Sequence, residues 1–182
     1  SLGTLHPRKN FRRLIAAFAP LAERYSDLTL VIGGGRGWQF KEILAEPAAQ
    51  GVGNRVRFVG FVAEEDLPAL YSAAELLSFP SLYEGCGIPI LEAMACGTPV
   101  LASNHSSMPE VTGSAGVLAD PTDTEAWTEG MERLLTDTAL RARLVSLGIQ
   151  HASRFTWERA AGELVAVYME LLSRRTPRAP FR

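Results

Sequence analysis

Glu84 and Glu92 are the side chains whose setting most invites chemistry. Between them run Gly85-Cys86-Gly87-Ile88-Pro89-Ile90-Leu91. Gly85 and Gly87 let backbone come close to a ligand, and Pro89 suits the first turn of a helix. Glu92 then falls one turn into that helix, while Glu84 stays in the loop before it. Amide groups in the first turn of a helix lack partners within it and are free to bind phosphate. Two carboxylates so placed can accept hydrogen bonds from vicinal hydroxyl pairs, one on a sugar ring and one on a ribose. Two glutamates without such neighbours would be read as one residue complementing the helix dipole and one solvated. The flanking glycines and proline turn the reading toward a site.

A second group of charges lies near the start, in Gly3-Thr4-Leu5-His6-Pro7-Arg8-Lys9-Asn10. Arg8 and Lys9 could be a solvated patch, but they follow what reads as the end of a strand, where open α/β sheets bind ligands. Gly33-Gly34-Gly35-Arg36 and Asn104-His105-Ser106-Ser107 occupy corresponding positions after later strands. The sum is a polar cleft floored by glycine, suited to an anionic ligand. Gly33 and Gly34 are read as a loop against that cleft. They are not a dinucleotide fingerprint, because Trp38 stands where the third glycine would be.

Several other chemistries are set aside. No Gly-x-x-x-x-Gly-Lys-[Ser/Thr] occurs, so there is no P-loop. His6, His105 and His151 stand singly, without zinc spacing, and Cys86 and Cys96 form no Cys-x-x-Cys pair. The absence of Asp-x-Asp argues against a metal bridging a diphosphate, so no metal site and no cofactor are expected.

The elements that position these residues alternate. Phe11, Leu14, Ile15, Phe18, Leu21 and Tyr25 recur at helical spacing over 10–25, with Pro20 placed to kink the helix. Short apolar runs at Leu28–Ile32, Val56–Val59, Leu76–Phe79, Pro99–Ala102 and Gly116–Ala119 read as strands, preceded by a stub at Ser1–Gly3. Helix-compatible stretches near 38–49, 64–74, 88–96 and 107–112 separate them. This alternation predicts an α/β fold, a doubly wound, Rossmann-like parallel sheet of about six strands. The last third reads as helical. Thr122 and Glu125 form a capping-box pattern, Asp137 caps a helix ending near Gly148, and Thr156 caps one carrying Trp157, Ala161, Leu164, Tyr168 and Leu171. The expected organisation is a domain over 1–155, a helix over 156–173, and a basic, disordered tail over 174–182.

Of the 182 residues 47% are hydrophobic and 21% charged, and the net charge is −2. That charge draws the chain to neither nucleic acid nor anionic lipid. Two cysteines give no disulfide framework and fit a reducing compartment, so a cytoplasmic location is expected. No run approaches the ~20 apolar residues that span a bilayer, and no signal peptide is visible.

The string Pro80-Ser-Leu-Tyr-Glu84-Gly-Cys-Gly-Ile-Pro-Ile-Leu-Glu92-Ala-Met-Ala-Cys-Gly97-Thr-Pro-Val100 closely resembles the signature of the retaining GT-B glycosyltransferases of group 1, also called family 4. Pro7-Arg8-Lys9-Asn10, Val56–Gly60, Pro109-Glu110-Val111 and Phe155-Thr156-Trp157-Glu158 are similar to that family too, so the resemblance covers nearly the whole chain. It implies the C-terminal, donor-binding half of a GT-B enzyme, with an acceptor-binding domain expected upstream and peripheral membrane contact open to the full-length enzyme. The donor would be a nucleoside-diphosphate hexose, linked to UDP or GDP as in mannosyltransferase-like members. By the same resemblance Glu84 holds donor-sugar hydroxyls and Glu92 the ribose. Lys9, with Arg8, neutralises the diphosphate, and amides around Gly85, Cys86, Gly87 and Ile88 reach sugar and phosphates. Phe61 and Val62, after Gly60, present backbone to the base, and Gly3 and Thr4 border the site. Two departures stand out: Thr4 where many members carry arginine, and Cys86 where phenylalanine is common. The catalytic residues implied are Glu84 and Lys9, in a transfer that this chain alone is not expected to perform. The rival functions are a nucleotide-sugar 2-epimerase of the same architecture, for which no catalytic histidine stands out, and a non-catalytic nucleotide-sugar-binding module.

Overall fold

The structure, a computed structural model, describes residues 1–174. A 3-10 turn at Pro7–Lys9 leads into α1 (Phe11–Arg24), followed by β1 (Leu30–Gly33), α2 (Phe40–Ala49) and β2 (Val56–Gly60). A second 3-10 turn, Glu64–Asp66, runs into α3 (Leu67–Ser72). Then come β3 (Leu77–Phe79), α4 (Ile88–Ala95), β4 (Val100–Ser103), α5 (Met108–Thr112) and β5 (Val117–Ala119). Three helices finish the described chain: α6 (Thr124–Thr136), α7 (Thr138–Ala152) and α8 (Trp157–Ser173).

All named strands pair in parallel, as β1-β2 and as β3-β4-β5. Leu30 lies opposite Val56, Leu77 opposite Val100, and Leu101 opposite Val117. The five strands fall one short of the expected six. The stub at the start contributes only isolated parallel bridges, Leu2 to Gly33 and Leu5 to Arg36. Every residue of β3 and β4 is buried, as a parallel sheet covered on both faces requires. β2 and β5 are less covered: only Val56 is buried in β2 and only Ala119 in β5, with Arg57, Val59 and Leu118 exposed.

Side chains of α1 (Phe11, Leu14, Ile15, Phe18 and Leu21) pack with Ile32 of β1, Ile43 of α2 and Trp127 of α6. A second cluster joins Tyr71, Phe79, Ile90, Met94, Val100 and Met108. α1 runs unbroken through Pro20. Residues Ser1–Ala152 form one compact unit, and the described residues from Ser153 onward form another. Within the second unit α8 starts at a cap: Thr156 Oγ1 accepts from Arg159 N–H at 3.2 Å, as read from sequence. Among the described residues no helix is long and apolar enough to cross a membrane. Apart from Arg174, the tail expected to be disordered lies outside the described residues.

Two of the expected helix signals are corrected. The cap of α6 is Asp123, whose Oδ1 accepts from Ala126 N–H at 3.0 Å. Thr122 is drawn away by Asp120 Oδ1, which accepts from both its hydroxyl at 2.6 Å and its N–H at 2.7 Å. Gly148 does not end α7, which continues to Ala152. A Cβ there would lie 3.2 Å from Met94 Cγ, so this glycine lets α7 approach α4 closely. Asp137 does cap α7, its Oδ1 accepting from Leu140 N–H at 2.9 Å.

Arg55 secures the turn between α1 and β1. Its guanidinium donates to Leu28 O at 3.0 Å, Tyr25 O at 2.7 Å and Ala22 O at 3.3 Å. Removing it strands part-buried carbonyls at the end of α1, where helix acceptors already lack partners. Arg55→Ala is expected to cost about 1.5–3 kcal/mol. A lower urea midpoint with an unchanged slope is the result that checks this.

Candidate active site

In each parallel sheet the carboxyl ends point to one edge, and contacts of Lys9 with Glu84 and of Glu84 with Ser106 and Ser107 bring together the loops after the Leu2 bridge, β3 and β4. The first of these loops is tightly held. His6 Nδ1 accepts from Arg8 N–H at 3.1 Å and starts the 3-10 turn that presents Arg8 and Lys9. Asn10 ends it in the left-handed region at φ 58°, and its side-chain amide donates to Pro80 O (3.1 Å) and Pro121 O (2.7 Å). Leu82 N–H donates to Arg8 O at 2.9 Å, and Arg8 donates to Tyr83 O. The loop after β3 is thereby fastened along the first loop.

That fastening brings three charges together. Lys9 Nζ lies 2.6 Å from Glu84 Oε1, and Arg8 Nη1 lies 2.8 Å from Glu84 Oε2. The Lys9 and Glu84 side chains are only 13% and 11% exposed, against 41% for Arg8, so the inner pair is shielded and the outer cation faces solvent. The Lys9 stem lies over Gly3, where a Cβ would come within 2.9 Å of Lys9 Cε. Its ammonium sits 5.1 Å from the Phe79 ring centre, a cation–π contact that further anchors it. Burial pushes the Glu84 carboxyl up, but hydrogen bonds, that from Lys9 foremost, outweigh it and hold the group below the usual carboxylate range. The Glu84 backbone is fixed as well, its carbonyl accepting from the Ser106 hydroxyl at 2.7 Å and the Ser107 hydroxyl at 3.0 Å.

Beyond Glu84 the chain exposes Gly85 and Cys86, then turns at Gly87 into α4. Gly87 takes φ 85°, a left-handed conformation that L side chains rarely adopt, and caps the helix without a side chain in the way. Pro89 has no N–H, and Ile90 N–H donates back to Gly87 O at 2.9 Å. The amides at the mouth of α4 are therefore those of Gly87 and Ile88. Glu92 follows one turn in, half-buried, its Oε2 accepting from the Tyr71 hydroxyl at 2.7 Å.

The other expected residues take separate places. Phe61 is strongly exposed and Val62 half-buried, after β2 ends at Gly60. Thr4 is exposed beside Gly37. Gly33 N–H donates to Ser1 O and Gly34 N–H to Gly60 O, so both amides are occupied in joining neighbouring segments. Sequence reasoning placed Asn10, Ser106 and Ser107 on loops of the cleft without assigning them these bonds, and it missed Tyr71. Each acts through a partner remote in the chain, and no local pattern announces such a bond. Among the described residues no group of three or more His, Cys, Asp or Glu side chains could hold a metal ion.

A model of the family described as "Glycosyl transferases group 1" matches residues 1–151. The chain belongs to that family. Among curated relatives of this group 1 domain, O-antigen chain mannosyltransferase B of Escherichia coli is 40% identical over 169 residues, 92% of this chain and 44% of that protein. D-inositol 3-phosphate glycosyltransferase of Salinispora tropica is 38% identical over 190 residues, 97% of this chain and 39% of that protein. Among solved structures, sucrose-phosphate synthase of Thermosynechococcus elongatus superposes with TM-score 0.83 at 31% identity, covering 96% of this chain and 45% of that one. HepE of Anabaena, solved in complex with UDP and glucose, gives TM-score 0.81 at 28% identity, covering 93% and 47%. The group 1 chain thus spans less than half the length of these relatives, and its fold resembles GT-B glycosyltransferase domains.

The charge cluster of the group 1 domain makes its stability depend on acid. The folded Glu84 carboxyl lies below its unfolded value, so its contribution is present at neutral pH and is lost in acid, as pH falls through the folded value. Urea unfolding at neutral pH and at about pH 3.5 checks this. The wild-type chain is expected to lose more stability between the two than Glu84→Gln, which has no carboxylate to protonate.

Proposed function

We propose that this chain is the donor-binding half of a retaining, metal-independent hexosyltransferase that uses a nucleoside-diphosphate sugar. The observation that carries the reading is the shielded Lys9–Glu84 pair, with Arg8 at its rim, on the loop that leads into the open N-terminus of α4. Cations and helix amides together make a diphosphate site. The relatives are glycosyltransferases by name, and the HepE structures hold UDP, UDP-glucose, or UDP with glucose, which supports a nucleotide sugar as the ligand. An acceptor-binding partner domain, as the longer relatives have room for, completes the enzyme in this reading.

The roles follow from charge and reach. The hexosyl group passes to an acceptor hydroxyl, which gives up its proton as its oxygen bonds the anomeric carbon, and the departing diphosphate gains negative charge. Lys9, Arg8 and the Gly87 and Ile88 amides stabilise that charge where it develops. Glu84 orients the hexose through its hydroxyls, Glu92 holds the ribose, and the backbone around Phe61 and Val62 lies along the base. Because the chain's own cations neutralise the diphosphate, nucleotide binding survives excess EDTA.

The ion pairs refine how the glutamates are told apart. Glu84 pairs with both cations, so its removal frees them for phosphate. Glu84→Gln is expected to weaken a nucleotide sugar relative to the matching nucleoside diphosphate, whose affinity holds or rises. Lys9→Ala is expected to weaken both by about ten- to a hundredfold, the worth of a charged hydrogen bond. Calorimetric titration of UDP, GDP and their hexose conjugates provides the test. Equal losses for Glu84→Gln on diphosphate and sugar nucleotide would overturn the division of labour, and nucleotide binding abolished by EDTA would overturn the metal-free site.

A further inference from the structure

Tyr71 stands apart from the residues assigned so far. It lies on α3, only 3% exposed, and its ring packs in the cluster of Leu77, Phe79, Ile90 and Met94. Both of its ends are pinned to the segment that carries Glu92. The hydroxyl donates to Glu92 Oε2 at 2.7 Å, and the backbone carbonyl accepts from the buried Thr98 hydroxyl at 2.7 Å, just past the end of α4. Burial first, and the bond to Glu92 second, push the phenol's pKa up, so it remains a donor at any working pH.

A phenol in a packed core is stiff, with few rotamers to lose, and a glutamate one turn into a helix is not. The hydrogen bond therefore passes the rigidity of the core to the carboxylate. It also fixes which oxygen points where: Oε2 is turned toward α3, and Oε1 is left for a ligand. α3 follows directly on the 3-10 turn at Glu64–Asp66, which itself follows Phe61 and Val62. One short run of chain thus carries both the backbone segment read as facing the base and the hydroxyl that sets Glu92.

We infer that Tyr71 is a positioning residue that aims Glu92 at the ribose hydroxyls and so sets the preference for ribonucleotides over nucleotides lacking those hydroxyls. The inference rests on the reading of Glu92 as the ribose contact. Tyr71 touches no ligand atom itself. Its effect is confined to ligands that carry the hydroxyls Glu92 accepts from, which a merely structural tyrosine could not achieve.

The test titrates the wild-type chain, Tyr71→Phe, Glu92→Gln and the double variant with UDP, GDP and their 2′,3′-dideoxy analogues. Phenylalanine fills the same space, and the readout is the ratio of the two affinities on folded protein, which is insensitive to a general loss of stability. Tyr71→Phe is expected to lower the ribo-to-dideoxy ratio about three- to tenfold, as one modest hydrogen bond would. It should leave dideoxy binding within about twofold and add little in the Glu92→Gln background, since residues acting as one unit are not additive. An equal loss on both ligands, or an unchanged ratio while Glu92→Gln lowers it, overturns the role of Tyr71 and leaves the ribose reading intact. An unchanged ratio in Glu92→Gln overturns the ribose reading itself, and the role of Tyr71 with it.

Discussion

Glu84 accepts on one carboxylate oxygen from Lys9, 75 residues away in the chain, and pairs with Arg8 on the other. Most of what surrounds the edge of the sheet serves to make that contact possible. A charge taken out of water must be paired and hydrogen-bonded, or its desolvation is not repaid. Hence the first loop is held by His6 and Asn10, and the loop after β3 is held by Arg8 O and by the hydroxyls of Ser106 and Ser107. Release of any one of these ties lets one member of the pair drift from the other. The placement of the pair at an edge is itself forced, because β3 and β4 are buried throughout and leave no room for charge along their length.

The two glutamates that share one sequence motif therefore live in different surroundings. Glu84 is bound by cations on a loop, and its charge is already compensated. Glu92 is held by a neutral donor on a helix, with the core of the domain behind that donor. A carboxylate among cations can exchange partners with an incoming anion, whereas one fixed by a phenol keeps its aim. The pair thus combines an adaptable contact with a rigid one, which suits a ligand that has both a charged and an uncharged end.

Much of this was legible in the sequence for a simple reason: glycine, proline and apolar runs report local backbone needs. Gly87 and Pro89 announced the turn into α4, and the runs around Ile32, Phe79 and Leu101 announced buried parallel strands. Signals of equal local merit misled where a neighbour competed. Thr122 has the pattern of a cap, but Asp120 two positions earlier engages its hydroxyl, and Asp123 takes the role instead. Gly148 looks like a helix end and is instead a point of close contact with Met94. Tyr71 was invisible because the meaning of its hydroxyl depends on Glu92, 21 residues away, and on a packing arrangement that no spacing rule encodes. The first expected strand dwindles to bridges at Leu2 and Leu5 because only Gly33 and Arg36 pair with it.

The long span between Lys9 and Glu84 also bears on how the chain reaches its final form. Closing a loop of that length costs entropy before any contact rewards it, so short-range elements such as α1 and α6 can form while the two charged loops are still apart. A chain in that condition can hold its helices while Lys9, Arg8 and Glu84 remain unpaired. On the donor-binding reading proposed above, a ligand held by these charges binds only once the two loops have met, and by mass action it draws the population toward that completed state.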